Sequence, residues 1–345
     1  LTGAQRTREL EYRRLGKSGL RVSTIGLGTM TLGGMVSAAD SIKQLDRAFD
    51  GGINLIDTAE QYASPPTAKS YGSSEKIIGR WLKSKPRDSV ILATKLSGPS
   101  VEGSWGMPHI RHGLTAFDRF HLETAIDASL VRLKTDYVDL YQTHWPDRET
   151  PMLDQLEAME RLIESGKVRY FGASNETAWG LTKLITIANA HGLPSPVGVQ
   201  NPYSLVQRDD FEAGLSEVCE RENVGLMAYS VLAMGALTGK YSGSKFPKGS
   251  RLAKFDYYRD DWGYGSRRVL DLADRYAAIG KEVGLSAIEL AIAWVTSRPF
   301  TATALSSCTS LRQLDGLLKV ADVSLSTDTL ATIDAVHSET KLQFH

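Results

Sequence analysis

The chain has 345 residues, 42% hydrophobic and 23% charged, an ordinary balance for a water-soluble globular protein. Forty basic residues offset forty acidic ones, so bulk electrostatics select neither nucleic acid nor an anionic membrane as a partner. No apolar run reaches the ~18 residues of a membrane span, and Cys219 and Cys308 form neither a disulfide framework nor a metal-ligand spacing.

Residues 1–10 carry no apolar signal core, and the two distant cysteines suit a reducing compartment, so a cytoplasmic protein is expected. The missing initiator Met implies an incomplete start in which a removed targeting segment would not be seen. In chain order, Tyr12–Leu15 and Leu20–Ser23 flank a glycine-rich turn and predict a hairpin. A strand Thr24–Gly28 and a helix Ser37–Asp50 follow, the helix stopped by Gly51-Gly52. Strand Asn54–Asp57 precedes a helix Ser73–Lys83, with Ile77, Ile78, Trp81 and Leu82 at helical spacing. The unit then repeats. Strand Val90–Thr94 leads through a long loop, Ser97–Phe120, to a helix His121–Leu133. Strands at Tyr137–Gln142, Val168–Ala173 and Val197–Val199 alternate with helices at Met152–Ser165, Thr177–His191 and Asp210–Glu222. Strand Gly225–Tyr229 opens a long loop to Ser266, followed by helices Arg267–Val283 and Ala287–Ser297. Strand Ala302–Leu305 and helices Leu311–Val320 and Thr327–His337 complete the chain.

Alternating strands and helices imply a parallel sheet with helical crossovers. Eight such repeats predict a closed α/β barrel of the (β/α)8 type, with an N-terminal hairpin and two extra helices. No linker or shift in composition divides the chain. One domain over 1–345 is expected, with its core at about residues 12–337.

The strand ends carry the chemistry. They read Asp57, Lys95, His144, Ser174-Asn175, Gln200 and Tyr229-Ser230, and a barrel of this type collects them on its carboxyl-terminal face. A structural ion pair is the plainer reading of Asp57 with Lys95. Tyr62, five residues past Asp57, changes the weighing. A phenol with a reference pKa near ~10 is a poor acid at neutral pH. An ammonium at ~4 Å, partly cancelled by Asp57, is expected to lower it by about one to two pKa units. That would suit a general acid, with His144 orienting a substrate carbonyl. Gly26-Leu-Gly28 lacks the third glycine of a dinucleotide fingerprint, and no Walker loop is present. Tyr229 is placed to stack on a planar ring. Ser174, Asn175 and Gln200 are able either to bind an amide or simply to cap loops.

Gly26-Leu-Gly-Thr-Met30, Asp57-Thr-Ala-x-x-Tyr62, Lys95, Gln142-x-His144, Gly172-x-Ser174-Asn175, Gln200-Asn-Pro-Tyr203 and Tyr229-Ser230 together resemble the aldo-keto reductases. Ser97-Gly-Pro-Ser100, His144-Trp-Pro146, Ser174-Asn-Glu-Thr177 and Gln200-Asn-Pro-Tyr-Ser204 resemble its Tas-like and potassium-channel β-subunit branch. The resemblance implies NADPH (NADP+ in the oxidised state) bound in extended form, and Asp57, Tyr62, Lys95 and His144 as a catalytic tetrad with Tyr62 the proton donor. Ser174, Asn175 and Gln200 would hold the carboxamide, and Tyr229 would stack on the nicotinamide. Ser230, Leu232, Gly235, Lys240 and Arg251 would line the pyrophosphate. Gly28, Thr29, Met30 and Asp57 complete the implied cofactor contacts at one end, and Ser307, Arg312 and Gln313 at the other.

The last cofactor segment departs from the family pattern. Ser307 stands where relatives carry glycine and Leu317 where they carry asparagine, while Gln313 is kept and Arg312 immediately precedes it. Cys308 beside this segment is expected to be a packed thiol. The expected activity is reversible NADPH-dependent reduction of an aldehyde or ketone, with a small carbonyl compound as partner and no obligatory protein partner. The alternative is a nicotinamide-binding regulatory subunit of a larger assembly. Trp105, His109, Tyr257, Tyr258 and Trp262 either wall the substrate pocket or pack the two long loops.

Overall fold

The computed structural model describes residues 10–99, 110–113 and 115–340. Two short antiparallel strands come first, β1 (Tyr12–Arg14) and β2 (Arg21–Ser23). The barrel strands are β3 (Ile25–Gly28), β4 (Leu55–Asp57), β5 (Ile91–Leu96), β6 (Val138–Thr143), β7 (Val168–Ser174), β8 (Gly198–Gln200), β9 (Gly225–Ala228) and β10 (Thr301–Ser306). All pair in parallel with their neighbours in sequence. The ring closes where β10 pairs with both β9 and β3.

The helices α1 (Ala38–Asp50), α2 (Ser73–Leu82), α3 (Arg119–Leu133), α4 (Met152–Glu164) and α5 (Ala178–His191) follow β3 to β7 in turn. After β8 comes a wide turn, Phe211–Leu215, running into α6 (Ser216–Glu222). The expected continuous helix is interrupted because Gly214 leaves helical geometry, at φ 179° and ψ −35°. The segment after β9 is expected to be a plain loop, but it folds into short helical turns at Ala233–Thr238 and Tyr257–Asp261 and a short α7 (Arg251–Lys254). Then come α8 (Arg267–Glu282), α9 (Ala287–Thr296), α10 (Leu311–Leu318) and α11 (Thr327–Thr340). Among the described residues, no helix is long and apolar enough to cross a membrane.

Local chemistry sets the helix boundaries. Side chains of Ser37, Asp118, Thr177, Ser266, Ser286 and Ser310 each accept a backbone N–H in the first turn of the following helix. Replacing such a cap with alanine typically costs about 0.5–2 kcal/mol. Gly52, at φ 88°, takes the left-handed conformation that ends α1. The helices that flank the barrel lay apolar stripes against it, whereas α11 packs on α8. In α2 the stripe is Ile77, Ile78, Trp81 and Leu82.

Two apolar layers result. One lies between helices and sheet, and a smaller one fills the barrel interior with Leu55, Ala93, Leu140, Met227, Ala302 and Leu305. Leu15 and Val22 of the hairpin belong to the interior layer. The turn at Gly16 (φ 51°) lies so close to the carbonyl oxygens of Val197 and Asn223 that a Cβ there would collide with both. The hairpin therefore seals the amino-terminal end of the barrel, and access is left to the carboxyl-terminal end.

Candidate active site

Strand alternation builds the floor of the site. In β4, β5 and β6 the inward positions read Leu55 then Asp57, Ala93 then Lys95, and Leu140 then Gln142. An apolar side chain fills the barrel, and the next inward residue, one step nearer the open end, is polar. The pairing registers set Lys95 level with Gln142 and place Asp57 opposite Ala93, one inward step below Lys95, with Gly28 opposite Asp57.

Lys95 has no solvent exposure, and its ammonium donates to Asp57 Oδ2 at 2.7 Å and to the Thr58 carbonyl at 2.7 Å. The other carboxylate oxygen of Asp57 accepts from the Gln142 amide at 3.1 Å and the Gln200 amide at 3.0 Å. Gln200 also donates to Gln142 Oε1 at 3.2 Å. Removing either member of such a buried pair strands its partner's charge. Burial lowers the Lys95 pKa, and the attraction of Asp57 works against that.

Tyr62 and His144 sit beside this ion pair. Their rings meet edge to face with centroids 5.7 Å apart, and the Lys95 ammonium lies 5.1 Å from the centre of the Tyr62 ring. The expected acidification of Tyr62 is not found. Burial raises the phenol well above its ordinary value, and the Asp57 charge raises it further. Burial is the larger cause, and the Lys95 ammonium does not offset it, since it donates to Asp57 and the Thr58 carbonyl. Tyr62 therefore keeps its proton through neutral pH. Burial, then the Lys95 charge, holds His144 well below its ordinary value, so its imidazole is neutral.

Above these residues opens a cavity of about 710 Å³. Tyr62, His144 and Asp57 line it, whereas Lys95 lies behind the wall. The sixteen residues that the resemblance assigns to the cofactor all contribute to the lining. They are Gly28, Thr29, Met30, Asp57, Ser174, Asn175, Gln200, Tyr229, Ser230, Leu232, Gly235, Lys240, Arg251, Ser307, Arg312 and Gln313. Several of their polar groups already hold one another. Asn175 donates to the His144 carbonyl at 2.8 Å and accepts from the Tyr229 hydroxyl at 2.6 Å, and Ser174 donates to the Gln200 carbonyl at 2.8 Å. Gln313 Oε1 accepts from the Thr309 N–H at 2.8 Å.

Asn175, Ser230 and Met234 have positive φ, so the wall includes backbone that non-glycine residues seldom adopt. The lining is strongly asymmetric in charge. Among the described residues it contains Lys240, Arg251, Lys254 and Arg312, and Asp57 is its one carboxylate. Ser250 and Ser306 also line it, and their hydroxyls have no hydrogen-bond partner among the described residues.

Of the loop aromatics, Tyr258 and Trp262 wall the cavity. Tyr257 packs on Tyr258 with ring centroids 4.0 Å apart. Trp105 and His109 lie outside the described residues. Leu317 also reaches the wall, and so does Cys308, whose thiol burial pushes up to about 12. Sequence reasoning missed the role of Gln142, although a polar residue at an inward strand position signals it. It also missed Met35, Gln61, Ser250 and Lys254, which no local pattern marks, and Trp145, although the His144-Trp-Pro146 motif contains it.

The family model described as "Aldo/keto reductase family" matches residues 24–338. The chain is 41% identical to "Protein tas" of Escherichia coli strain K12, over 95% of this chain and 98% of that one. It is 34% identical to "Uncharacterized oxidoreductase YrpG" of Bacillus subtilis strain 168, over 95% and 96% of the two chains. It is 31% identical to a "Probable voltage-gated potassium channel subunit beta" of Oryza sativa subsp. japonica, again over 95% and 96%. The motifs, the closed barrel and these full-length matches agree: the chain belongs to the aldo/keto reductase family of oxidoreductases.

Proposed function

We propose that this protein, acting as one domain, reduces an aldehyde or ketone to an alcohol with NADPH. The observation that carries the reading is the pairing of two features in one cavity. A protonated phenol and a neutral imidazole stand over a buried Asp57–Lys95 pair, and four cationic side chains line the same space against one carboxylate.

That charge balance suits a dinucleotide bearing several phosphates. Lys240, Arg251, Ser230, Leu232 and Gly235 would hold its pyrophosphate, and Ser307, Arg312 and Gln313 its adenosine end. Gly28, Thr29 and Met30 would lie along it, Tyr229 would stack on the nicotinamide, and Ser174, Asn175 and Gln200 would hold the carboxamide. NADPH, when bound, supplies a hydride to the carbonyl carbon.

The chain's own residues manage the oxygen. Neutral His144 donates a hydrogen bond from its ring N–H and polarises the carbonyl. The Tyr62 hydroxyl gives its proton to the oxygen as negative charge develops there. A phenol with an unlowered pKa can do this, because an alkoxide is a stronger base than a phenolate. The phenolate left behind would lie near the Lys95 ammonium, 5.1 Å from the ring centre, and Asp57 keeps that ammonium in place. The carbonyl carbon gains the hydride and its oxygen the Tyr62 proton, and a proton from solvent then restores the phenol for the next turnover.

The test is Tyr62→Phe, followed by NADPH consumption with 4-nitrobenzaldehyde. A loss of about 10²–10⁴-fold in kcat is expected for a removed general acid. Undiminished turnover overturns the assignment. Likeness to the rice relative, named as a probable channel subunit, supports a second reading in which bound nicotinamide signals to a partner. Tight NADPH retention, very slow turnover and co-purification of a larger assembly would favour it. Turnover of about several per second without a partner, ordinary for an enzyme, would exclude it as the main role.

A further inference from the structure

The loop that carries Tyr62 holds another buried charge, which the proposed chemistry does not use. Glu60 lies three residues past Asp57 and two before Tyr62, and its side chain is 1% exposed. A carboxylate so placed is unfavourable unless its lone pairs are met. Four donors meet them. Oε1 accepts from the Ser97 N–H at 2.7 Å and from Arg111 at 2.8 Å, while Oε2 accepts from the other terminal nitrogen of Arg111 at 2.9 Å and from the Tyr71 hydroxyl at 3.1 Å. The Arg111 contact is thus a two-pronged fork, the geometry that fixes direction as well as distance. Burial raises the Glu60 carboxyl, but Arg111 and the Ser97 N–H outweigh it and leave the group below its ordinary value.

The backbone of Glu60 is tied as well. Its N–H donates to the Lys95 carbonyl at 3.1 Å, and its carbonyl accepts from Gly72 at 2.9 Å. One residue therefore joins the Tyr62 turn, the exit of β5 two residues past Lys95, and the segment around Arg111. That segment is itself held in an unusual shape, with φ 46° at Arg111 and 58° at His112. Non-glycine residues take such angles mainly where their surroundings impose them. The other buried pair nearby, Glu75 with Arg132 at 2.6 Å, ties α2 to α3, and Glu75 also accepts from Thr94 of β5 at 2.6 Å.

We propose that the Glu60–Arg111 ion pair is the positioning element of the site, setting the Tyr62 phenol against Lys95 and His144. The proposal rests on the reading of Tyr62 as proton donor. A displacement of about 1 Å at a reacting group can cost about 10²-fold in rate.

The test uses Glu60→Gln, Arg111→Met and Arg111→Lys in the full chain. It measures kcat and KM for 4-nitrobenzaldehyde, the NADPH Kd from tryptophan fluorescence, and Tm. Glu60→Gln and Arg111→Met are expected to lower kcat about 10–100-fold while the NADPH Kd stays within about twofold. Arg111→Lys should recover part of the loss, and the double variant should be no slower than the worse single, because the pair acts as a unit. Arg208→Met is the control for mere destabilisation. Arg208 is nearly buried and bridges Glu212 and Asp334 away from the cavity, so its loss should lower Tm and leave kcat unchanged.

Folded Arg111 variants that bind NADPH and keep kcat within about twofold of the parent would overturn the proposal. So would a fall in kcat matched by an equal fall in NADPH affinity. Turnover that survives Tyr62→Phe would instead bring down the proton-donor reading, and this proposal with it.

Discussion

Two parts of one cavity wall are built on different principles. The floor stands on strands: Asp57, Lys95, Gln142 and Gln200 come from β4, β5, β6 and β8, lie almost wholly buried, and bond to one another at 2.7–3.2 Å. The wall after β10 stands on a turn and the first turns of α10, where Thr309, Arg312 and Gln313 are exposed. Strand positions are fixed by hydrogen-bonded neighbours on both sides. Positions on the turn are fixed by the Ser310 cap and a few side-chain bonds, from Ser307 to the Gly28 carbonyl, from Thr31 to the Cys308 carbonyl and from Thr309 to Gln313. Substitutions should therefore be catastrophic on the floor and graded at the β10–α10 corner.

Lys95→Met should give the largest change. It leaves the Asp57 carboxylate buried without its cation, a change that typically costs about 3–5 kcal/mol. Urea unfolding should show that loss, together with a collapse of turnover. A folded variant with near-parental stability would mean that Gln142 and Gln200 alone can hold the carboxylate.

Effects of pH come next, and they are bounded at about 1.4 kcal/mol per pH unit for each group. His144 is held low in the folded state, so the unfolded chain binds its proton first. Stability should fall as pH drops through about 6.5, and kcat/KM should show no histidine inflection there. Tyr62 is held high, so the unfolded phenol ionises first and stability should fall as pH rises past about 10. Urea midpoints across the pH range, compared between the parent and Tyr62→Phe, would isolate the second limb. An unchanged alkaline limb in that variant would refute it.

At the corner, Arg312→Ala should do least. An exposed cation on one phosphate is worth up to about 1 kcal/mol, so NADPH should bind about fivefold more weakly while NADH binding is unchanged. Equal weakening of both cofactors would place Arg312 away from the 2′-phosphate.

The same contrast explains what the sequence made legible. Apolar runs ending in Asp57, Lys95 and His144 are local patterns, and they locate both the strands and the polar residues at their ends. The Tyr62 pKa was not legible, because it depends first on how deeply the folded chain buries the phenol and then on the nearby Asp57 charge, and neither is set by local sequence. The helical turns within Val231–Ser266 were hidden for another reason. They are short, rich in glycine and polar residues, and held by tertiary contacts such as the Tyr241 hydroxyl on the Leu252 N–H at 3.1 Å. The Glu60–Arg111 fork was invisible as well, because its partners are fifty-one residues apart.

Asp57 carries one more implication. Its two oxygens gather donors from three other strands, so a single carboxylate works as the knot in a drawstring around half the ring. The reactive centre then has no softer existence of its own to lose first. On heating, activity should vanish at the same temperature at which the barrel opens, and only there.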